Sequence, residues 1–589
     1  MNYITKNHSI TKKVFLGLLL TIILSKLSNS ICYVVDTMVI GNFFSAECLS
    51  AIGFARPIVL IRSAVVYVIS IGAVYMCAFY IGKNQREKVD QIFSAMMICA
   101  FFVGGIFTVV LVGFPEAVAS ILGANGDVHT YTSAYLRGFG IGMVPCFLNA
   151  MLVGLNPLNG SKDLVLKSTL LLGVSNILMD LIFALFTPLG LFGIAFSTSV
   201  SYLLAFCVNI LHFRRPYNIF HLVPCFSATK DLLHGLKRGL PQGIYRLGIT
   251  INSILFNAIL FSAGGDKAIA LIAIINSIHD VIVSAFIIGT SGVMNTLIAL
   301  FYGEEDAEAI KETLQYTLKV QILIPGFSML MLIIFAQPII AMFGIDVAAW
   351  GSVYVLALRI YALSFVPRAI VNVFASVYNV IEKENLSIVM NSLQLIVFAP
   401  LIAWLLSTHF GIAGVFAAYS LGAILVLLLL MLFIYLKKRK LWSIENWMLL
   451  PKDFGGKKED RLTFSLKYDG EGYLPAVEKI ENFCQSHGVS KRSIIHVTLC
   501  TEEILLILAS NNKDNKEHSL DVRILIKEDY LTLRIRDNNI RFDPFERTPS
   551  SDPFENIELL GVKLVKALVN EYEYNYSVDM NNVFIKLPK

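Results

Sequence analysis

The feature that most constrains this chain is a duplicated pattern of apolar helices in its first 440 or so residues, with a period of about 221 positions. Paired glycines and polar breaks share that offset: Gly190 with Gly411, Gly193 with Gly414, Gly82 with Gly303, and Lys162 with Lys383. A long repeat made of apolar helices is typical of transporters whose two halves enclose a site near the membrane midplane.

Composition and charge divide the chain into two parts. At 589 residues and 56% hydrophobic, the chain is too long and too apolar for a single soluble domain. Residues 1–450 hold 28 Lys and Arg against 20 Asp and Glu, whereas residues 451–589 hold 20 against 23. This difference predicts a membrane domain followed by a soluble one. The nine cysteines form no CxxC pair, so we interpret them as small hydrophobic residues and predict no metal site.

The apolar runs are long enough to cross a bilayer, which takes about 20 residues per helix. They centre near residues 25, 65, 102, 143, 175 and 201, and again near 250, 283, 325, 364, 397 and 423. We therefore predict an all-α membrane protein with twelve transmembrane helices in two six-helix repeats, plus a C-terminal soluble α+β sandwich. The N-terminus could pass for a signal peptide, but its apolar run resumes beyond Lys26 without a clear cleavage site. We expect a retained first helix.

Alternate loops carry the positive charge, which predicts the orientation in the membrane. Examples are the groups around Lys83, Lys162 and Arg214, and the run Lys437–Lys440. By the positive-inside rule, both termini face the cytoplasm in a multi-pass protein of the cell membrane. One loop on the same side is acidic, Gly303-Glu304-Glu305-Asp306. Acidic residues contribute little to that rule, so the basic residues of the neighbouring loops determine the predicted orientation.

The predicted organisation has five segments, and the last is the soluble tail. The tail alternates like strands at 461–468 and around Glu528-Asp529, with helical patterns between and a closing hairpin. The segments are a first lobe (1–212), a cytoplasmic linker (213–238), a second lobe (239–440), a short linker (441–454) and the tail (455–589).

Two acids inside membrane helices are candidates for ion coupling, because ionisable groups are costly there. Asp36 lies late in the first helix, and Asp180 follows Asn176 at a spacing that places both on one helical face. Carboxylate and amide oxygens suit Na⁺ or proton capture. At the same offset the second half has Asn257 and Leu401, and this one-sidedness favours a coupling site over inert acids near the headgroups.

The segment VVDTMVIGNFFSAECLSAIGFARPI (34–58) resembles the first-helix signature of the multidrug and toxic compound extrusion (MATE) transporters. The similarity continues through NPLNGSKDLVLKSTLLLGVSNILMD and LGLFGIAFSTSVSY and covers roughly residues 10–440. It implies a cation site for H⁺ or Na⁺ at Asp36, Asn176, Asp180 and Thr198. A helix-1 proline of some members is Thr21 here, and the acids that some sodium-coupled members carry in the second lobe are missing.

The tail resembles the ATP-binding domain of the histidine-kinase-like family, in its anti-sigma-factor serine-kinase branch. The family motifs map to Glu503, to Asp537 and to Gly561, which implies a degenerate nucleotide site. The Mg²⁺-binding Asn of the family is Ile507, and Asn539 and Arg541 replace loop glycines. We therefore predict a regulatory tail rather than an active ATPase or kinase.

The leading hypothesis is a secondary antiporter that exports small organic, often cationic and amphipathic compounds in exchange for H⁺ or Na⁺, and is not an enzyme. A lipid-linked sugar flippase is the first alternative, because Arg246, Arg359 and Arg368 in the second half could line a cavity. The other is a membrane-embedded signalling regulator whose tail binds a cytoplasmic protein. The lipid bilayer is a further expected partner, and we expect no binding of nucleic acid.

Overall fold

The computed structural model describes residues 10–25, 27, 46–215, 218–224, 229–342, 352–468, 473–512, 519–546, 553–569 and 571–589. The first lobe begins with helix α1 over residues 10–25. Its other helices are α2 (Ala46–Gly82), α3 (Arg86–Gly113), α4 (Pro115–Ile121), α5 (Gly126–Ile141), α6 (Met143–Leu155), α7 (Lys162–Phe186) and α8 (Gly190–Asn209).

The second lobe repeats this sequence of long helices and short breaks. Its helices are α9 (Thr229–Ile282), α10 (Gly289–Gly303), α11 (Ala307–Ile334), α12 (Ala336–Met342), α13 (Ser352–Ala362), α14 (Phe365–Val380), α15 (Glu384–Ser392) and α16 (Ala399–Lys438). Helix α9 begins inside the range that the sequence assigned to the linker. A short helix, α17 (Ile444–Met448), leads to the tail.

The number of membrane spans is less than the predicted twelve when each helix is judged by length and composition. Ten helices of the described residues qualify, or eleven if α5 and α6, bent by 49°, form one span. One of the ten, Lys491–Asn511, is a tail helix with a buried face. Another covers 55 residues, Glu384–Lys438, and turns at Gly411 with a φ of 56°. Much of the expected first span lies outside the described residues, so twelve spans in two repeats remain a prediction.

Two pairs of repeat-related glycines have a structural reason. Gly190 and Gly411 both have a φ of +56°, a conformation that other residues rarely adopt, at the start of the last helix of each half. Gly82 and Gly303 lie where α2 of the first lobe meets α10 of the second. A Cβ at Gly82 would stand 2.1 Å from the Leu300 carbonyl oxygen, and one at Gly303 would stand 2.0 Å from that of Phe79. The lobes therefore touch backbone to backbone at this end.

The tail domain, residues 455–589, is a five-stranded antiparallel sheet with three helices on one face. Its strand order is β1-β2-β3-β5-β4. The elements are β1 (Arg461–Lys467), α18 (Tyr473–Ser486), α19 (Lys491–Asn511), β2 (Ser519–Ile526), β3 (Tyr530–Asp537), α20 (Pro553–Leu568), β4 (Glu571–Ser577) and β5 (Met580–Pro588). The predicted α+β tail with a small sheet is consistent with this fold.

Strand alternation gives the sheet two different faces. Val522 pairs with Ile535, and Leu533 with Ile585; these apolar side chains belong to the core shared with the helices. Arg523 and Arg534 pair on the opposite face. That second face packs against the end of the membrane domain where Gly82 and Gly303 meet, which we call the tail side.

Candidate functional site

A buried polar cluster lies between helices α7 and α8 of the first lobe. Asp180 is fully buried and Asn176, one turn earlier on α7, is 3% exposed. On α8, the Ser197 hydroxyl lies at hydrogen-bonding distance from an Asp180 carboxylate oxygen. The Asn176 side-chain amide donates to Ser197 Oγ at 3.3 Å and to Thr198 Oγ1 at 3.4 Å. Three of the four residues expected in a cation site are therefore neighbours here.

The fourth expected residue, Asp36, lies outside the described residues, so its position relative to Asp180 stays a prediction. Ser197 is a member of the cluster that the sequence interpretation missed. It directly precedes Thr198, and its counterpart in the second half is Ala418. The same one-sided comparison that singled out Asp180 would have identified it.

The chemistry of the cluster suits a small cation. It combines one carboxylate with amide and hydroxyl oxygens, the hard ligands that Na⁺ takes, and the carboxylate can instead hold a proton. Because a charged carboxylate is costly inside a membrane domain, it needs such partners or a bound cation.

The corresponding region of the second lobe has no acid at the equivalent positions. Val397, Leu401 and Ala418 stand at the positions of Asn176, Asp180 and Ser197. Tyr419 stands where Thr198 does, and the Arg368 guanidinium lies 5.3 Å from the centre of its ring. Arg368 is 7% exposed and donates to the Tyr361 hydroxyl at 3.3 Å. The second lobe therefore lacks the acid of the first and has an arginine beside the counterpart of Thr198.

Two more arginines of the membrane domain contact neutral groups. Arg62 of α2 donates to Cys146 Sγ at 3.4 Å and to the Tyr202 hydroxyl at 3.5 Å. Arg246 of α9 donates to the Tyr67 hydroxyl at 2.6 Å, across the boundary between the lobes. Arg359, by contrast, is exposed and donates to the Ile333 carbonyl at 3.0 Å, as expected for a side chain near the headgroups.

In the tail, the residues that map to a nucleotide site are engaged with one another. A Cβ at Gly561 would lie 2.1 Å from a carboxylate oxygen of Glu503, so this carboxylate packs against helix α20. Burial, and secondarily Glu502, raises the pKa of the Glu503 carboxyl above its usual value.

Asp537, the counterpart of the adenine-reading acid, is 1% exposed. One of its carboxylate oxygens accepts from the Asn539 backbone N–H at 2.8 Å and from the Asn581 amide at 2.7 Å. Ile507 is fully buried in the tail core, so the position of the Mg²⁺-binding Asn faces apolar side chains. The three predicted site residues are thus present, but the arrangement around them is that of a packed interior.

Comparison with known proteins finds a family model and relatives that match the membrane domain. A family model described as MatE matches residues 21–182 and 241–405. The chain is 23% identical over 436 residues to the multidrug export protein MepA of Staphylococcus saprophyticus, covering 73% of this chain and 95% of the relative. It is 24% identical over 404 residues to an FAD transporter of Shewanella oneidensis, covering 66% and 87%.

Solved structures agree on the fold. An outward-facing multidrug resistance MATE family transporter of the MOP superfamily aligns with a TM-score of 0.67 at 19% identity, covering 71% of this chain and 94% of the other. A MOP superfamily transporter from Pyrococcus furiosus, described as having a binding pocket of reverse polarity, aligns with a TM-score of 0.67 at 20% identity, covering 73% and 97%. These alignments are about as long as the membrane domain. The part of the chain that they leave unmatched is about as long as the tail.

Proposed function

Since the chain belongs to the MatE family of membrane transporters and its relatives are named as export proteins rather than enzymes, we propose that it is a secondary antiporter exchanging organic compounds for H⁺ or Na⁺. The observation that carries the coupling proposal is the one-sided cluster of Asp180, Asn176, Ser197 and Thr198 in the first lobe. One charge moving inward across 100 mV contributes about 2.3 kcal/mol, enough for roughly fifty-fold accumulation.

The test is substrate-driven ion flux in proteoliposomes. We expect Asp180→Asn, and likewise Asp36→Asn, to abolish ion-coupled efflux while the protein remains folded, because an amide neither releases a proton nor supplies a carboxylate for Na⁺. Glu116→Gln is the matched control, since this exposed acid lies in the same lobe at the start of α4. Efflux at the wild-type rate in either aspartate variant would show that the coupling site lies elsewhere. Imposing a pH gradient or a Na⁺ gradient alone identifies the ion.

We propose cationic, amphipathic compounds as the first substrate class. A second class, organic anions, is favoured by a specific observation. Among the described residues, the hydrogen bonds of Arg62 and Arg246 go to tyrosine and cysteine side chains and not to carboxylates. A guanidinium without a neighbouring acid attracts anions, and one relative is named an FAD transporter.

A competition assay distinguishes the two substrate classes: a cationic dye and FAD are offered to the same proteoliposomes, and the transport of each is measured. If anions are carried, Arg246→Gln should lower their uptake at least tenfold and leave the dye unaffected. If cations are carried, the same variant should leave dye export intact and FAD should not compete. A lipid-linked sugar flippase is not favoured, because the family and the relatives are those of export proteins.

For the tail we propose a regulatory domain of histidine-kinase-like ancestry that does not hydrolyse ATP. The proposal is supported by the engaged Asp537, the packed Glu503 and the apolar surroundings of Ile507. Purified full-length protein should show no magnesium-dependent ATP turnover above background. Turnover that disappears in Glu503→Ala would contradict the proposal and make the chain bifunctional. A cytoplasmic protein that binds the tail remains the signalling alternative.

A further inference from the structure

The acidic loop between α10 and α11, residues Glu304 to Asp306, is bound by arginines of the tail sheet. Arg534 Nη1 donates to Glu304 Oε1 at 2.6 Å, and Arg536 Nη1 donates to Asp306 Oδ2 at 3.0 Å. Arg536 also pairs with the second oxygen of Glu304. Arg523 donates to the backbone carbonyl oxygens of Glu304 at 3.0 Å and of Glu305 at 2.7 Å.

These pairs are buried, which separates them from ordinary surface ion pairs. Glu304 and Asp306 are 6% and 4% exposed, and Arg534 and Arg536 are 6% and 8% exposed. A charge is retained in such a place only when it is paired and hydrogen-bonded. The loops on this side are otherwise basic. The acidic side chains of this one loop are neutralised by arginines of the tail.

The same domain holds the first lobe through its last hairpin. Arg86 donates to Glu573 Oε1 at 3.0 Å, and the Asn575 amide donates to Asn84 Oδ1 at 2.9 Å. Lys162 pairs with Asp579 at 2.5 Å. The adjoining Val578 is fully buried and belongs to the apolar core of the membrane domain.

One guanidinium joins both lobes where they touch. While Arg534 Nη1 binds Glu304 of the second lobe, its Nη2 donates to the Gly82 carbonyl oxygen of the first at 3.3 Å. This is the point where Gly82 and Gly303 meet backbone to backbone. In a transporter that alternates access, the lobes must separate at this end in part of the cycle.

We propose that the tail domain is an internal lock, which binds both lobes on the tail side and must leave at least one of them before the transporter opens there. The proposal rests on the proposed antiport cycle only in assuming that the lobes move apart. Free energy supplied by the tail contacts favours the closed arrangement, so weakening them shifts the population toward the open one.

The test measures the distance between the lobes on the tail side. The full-length protein, with its reactive native cysteines replaced, is placed in nanodiscs. Spin labels are attached at Lys167→Cys in the first lobe and at Lys437→Cys in the second, both exposed positions near this end. We expect Arg534→Gln combined with Arg536→Gln to raise a longer-distance population at least about tenfold, because the buried acids lose their partners.

A second variant and a matched control exclude misfolding of the tail. Asp306→Asn removes the charge from the membrane-domain side, while its side chain can still cap α11 by accepting from the Ala309 N–H, a contact now 3.1 Å long. It should lengthen the distance in the same direction. Lys586→Gln, which breaks an exposed pair with Glu571 on the same sheet, should leave the distance unchanged.

An unchanged distance in both release variants would overturn the lock, and so would an equal shift in Lys586→Gln. The distance measurement needs neither substrate nor ion gradient. If the lobes separate as expected but the wild type carries no substrate, the proposed antiport fails and the lock stands.

Discussion

At the scale of single residues, the glycines at the junction of the lobes have no room for a side chain. The Cβ positions of Gly82 and Gly303 fall 2.1 and 2.0 Å from carbonyl oxygens of the opposite lobe. These atoms are backbone, so they cannot rotate aside as the end of a long side chain could. The two glycines that the sequence repeat pairs therefore make equivalent close contacts, each with the backbone of the other lobe.

We expect Gly82→Ala to destabilise the folded protein by about 1–3 kcal/mol, the usual cost of forcing extra atoms into a packed interface. Gly105→Ala is the matched control, because a Cβ at this position of α3 meets nothing within 4 Å. A helix-interior alanine there should be neutral or stabilise by up to about 1 kcal/mol. Thermal unfolding of both proteins in detergent is the measurement. Equal melting temperatures would mean that the lobes do not meet at Gly82.

At the scale of elements, the packing of helix α19 explains why an isoleucine at position 507 suits the tail fold. Its buried side includes Val497, Ile504 and Ile507, which pack under the sheet. Ile507 is fully buried and belongs to the apolar core of the tail. An isoleucine at this position therefore contributes packing that a metal-binding amide would not.

We predict that Ile507→Asn, which restores the family residue, gains no ATP hydrolysis and destabilises the tail by about 2–4 kcal/mol through burial of an amide and loss of apolar packing. Ile495→Asn on the same helix is the control, since Ile495 is 56% exposed. Limited proteolysis of full-length protein should cleave the tail faster in the first variant only. Gain of magnesium-dependent ATP turnover in Ile507→Asn would contradict this prediction.

At the scale of the whole molecule, the basic loops predict the orientation in the membrane, and the tail contacts Arg86 and Lys162 of those loops. Lys457 is exposed in the segment just before β1. We predict that a cysteine introduced there reacts with a membrane-impermeant maleimide only after cells are broken open. A cysteine at exposed Glu116, near the opposite end of α3, should react in intact cells. Labelling of Lys457→Cys in intact cells would place the tail outside.

The sequence by itself determined the class of the membrane domain, the α+β pattern of the tail and the neighbours Asn176, Asp180 and Thr198. These follow from local rules, because hydrophobic length, strand alternation and helical spacing act within one element. The number of spans is not settled by length and composition, since the 55-residue apolar stretch Glu384–Lys438 counts once although its backbone turns at Gly411.

Only the tertiary structure decided what the polar face of the tail sheet does. Alternation in RILIKEDYLTLRIRD separates apolar from polar positions but does not say whether the polar face meets water or protein. Arg534 and Arg536 are bound to Glu304, about 230 positions earlier in the chain. A contact of that range depends on how whole domains pack. For the same reason the acidic loop, an exception to the charge rule when taken alone, has its explanation in residues from the far end of the chain.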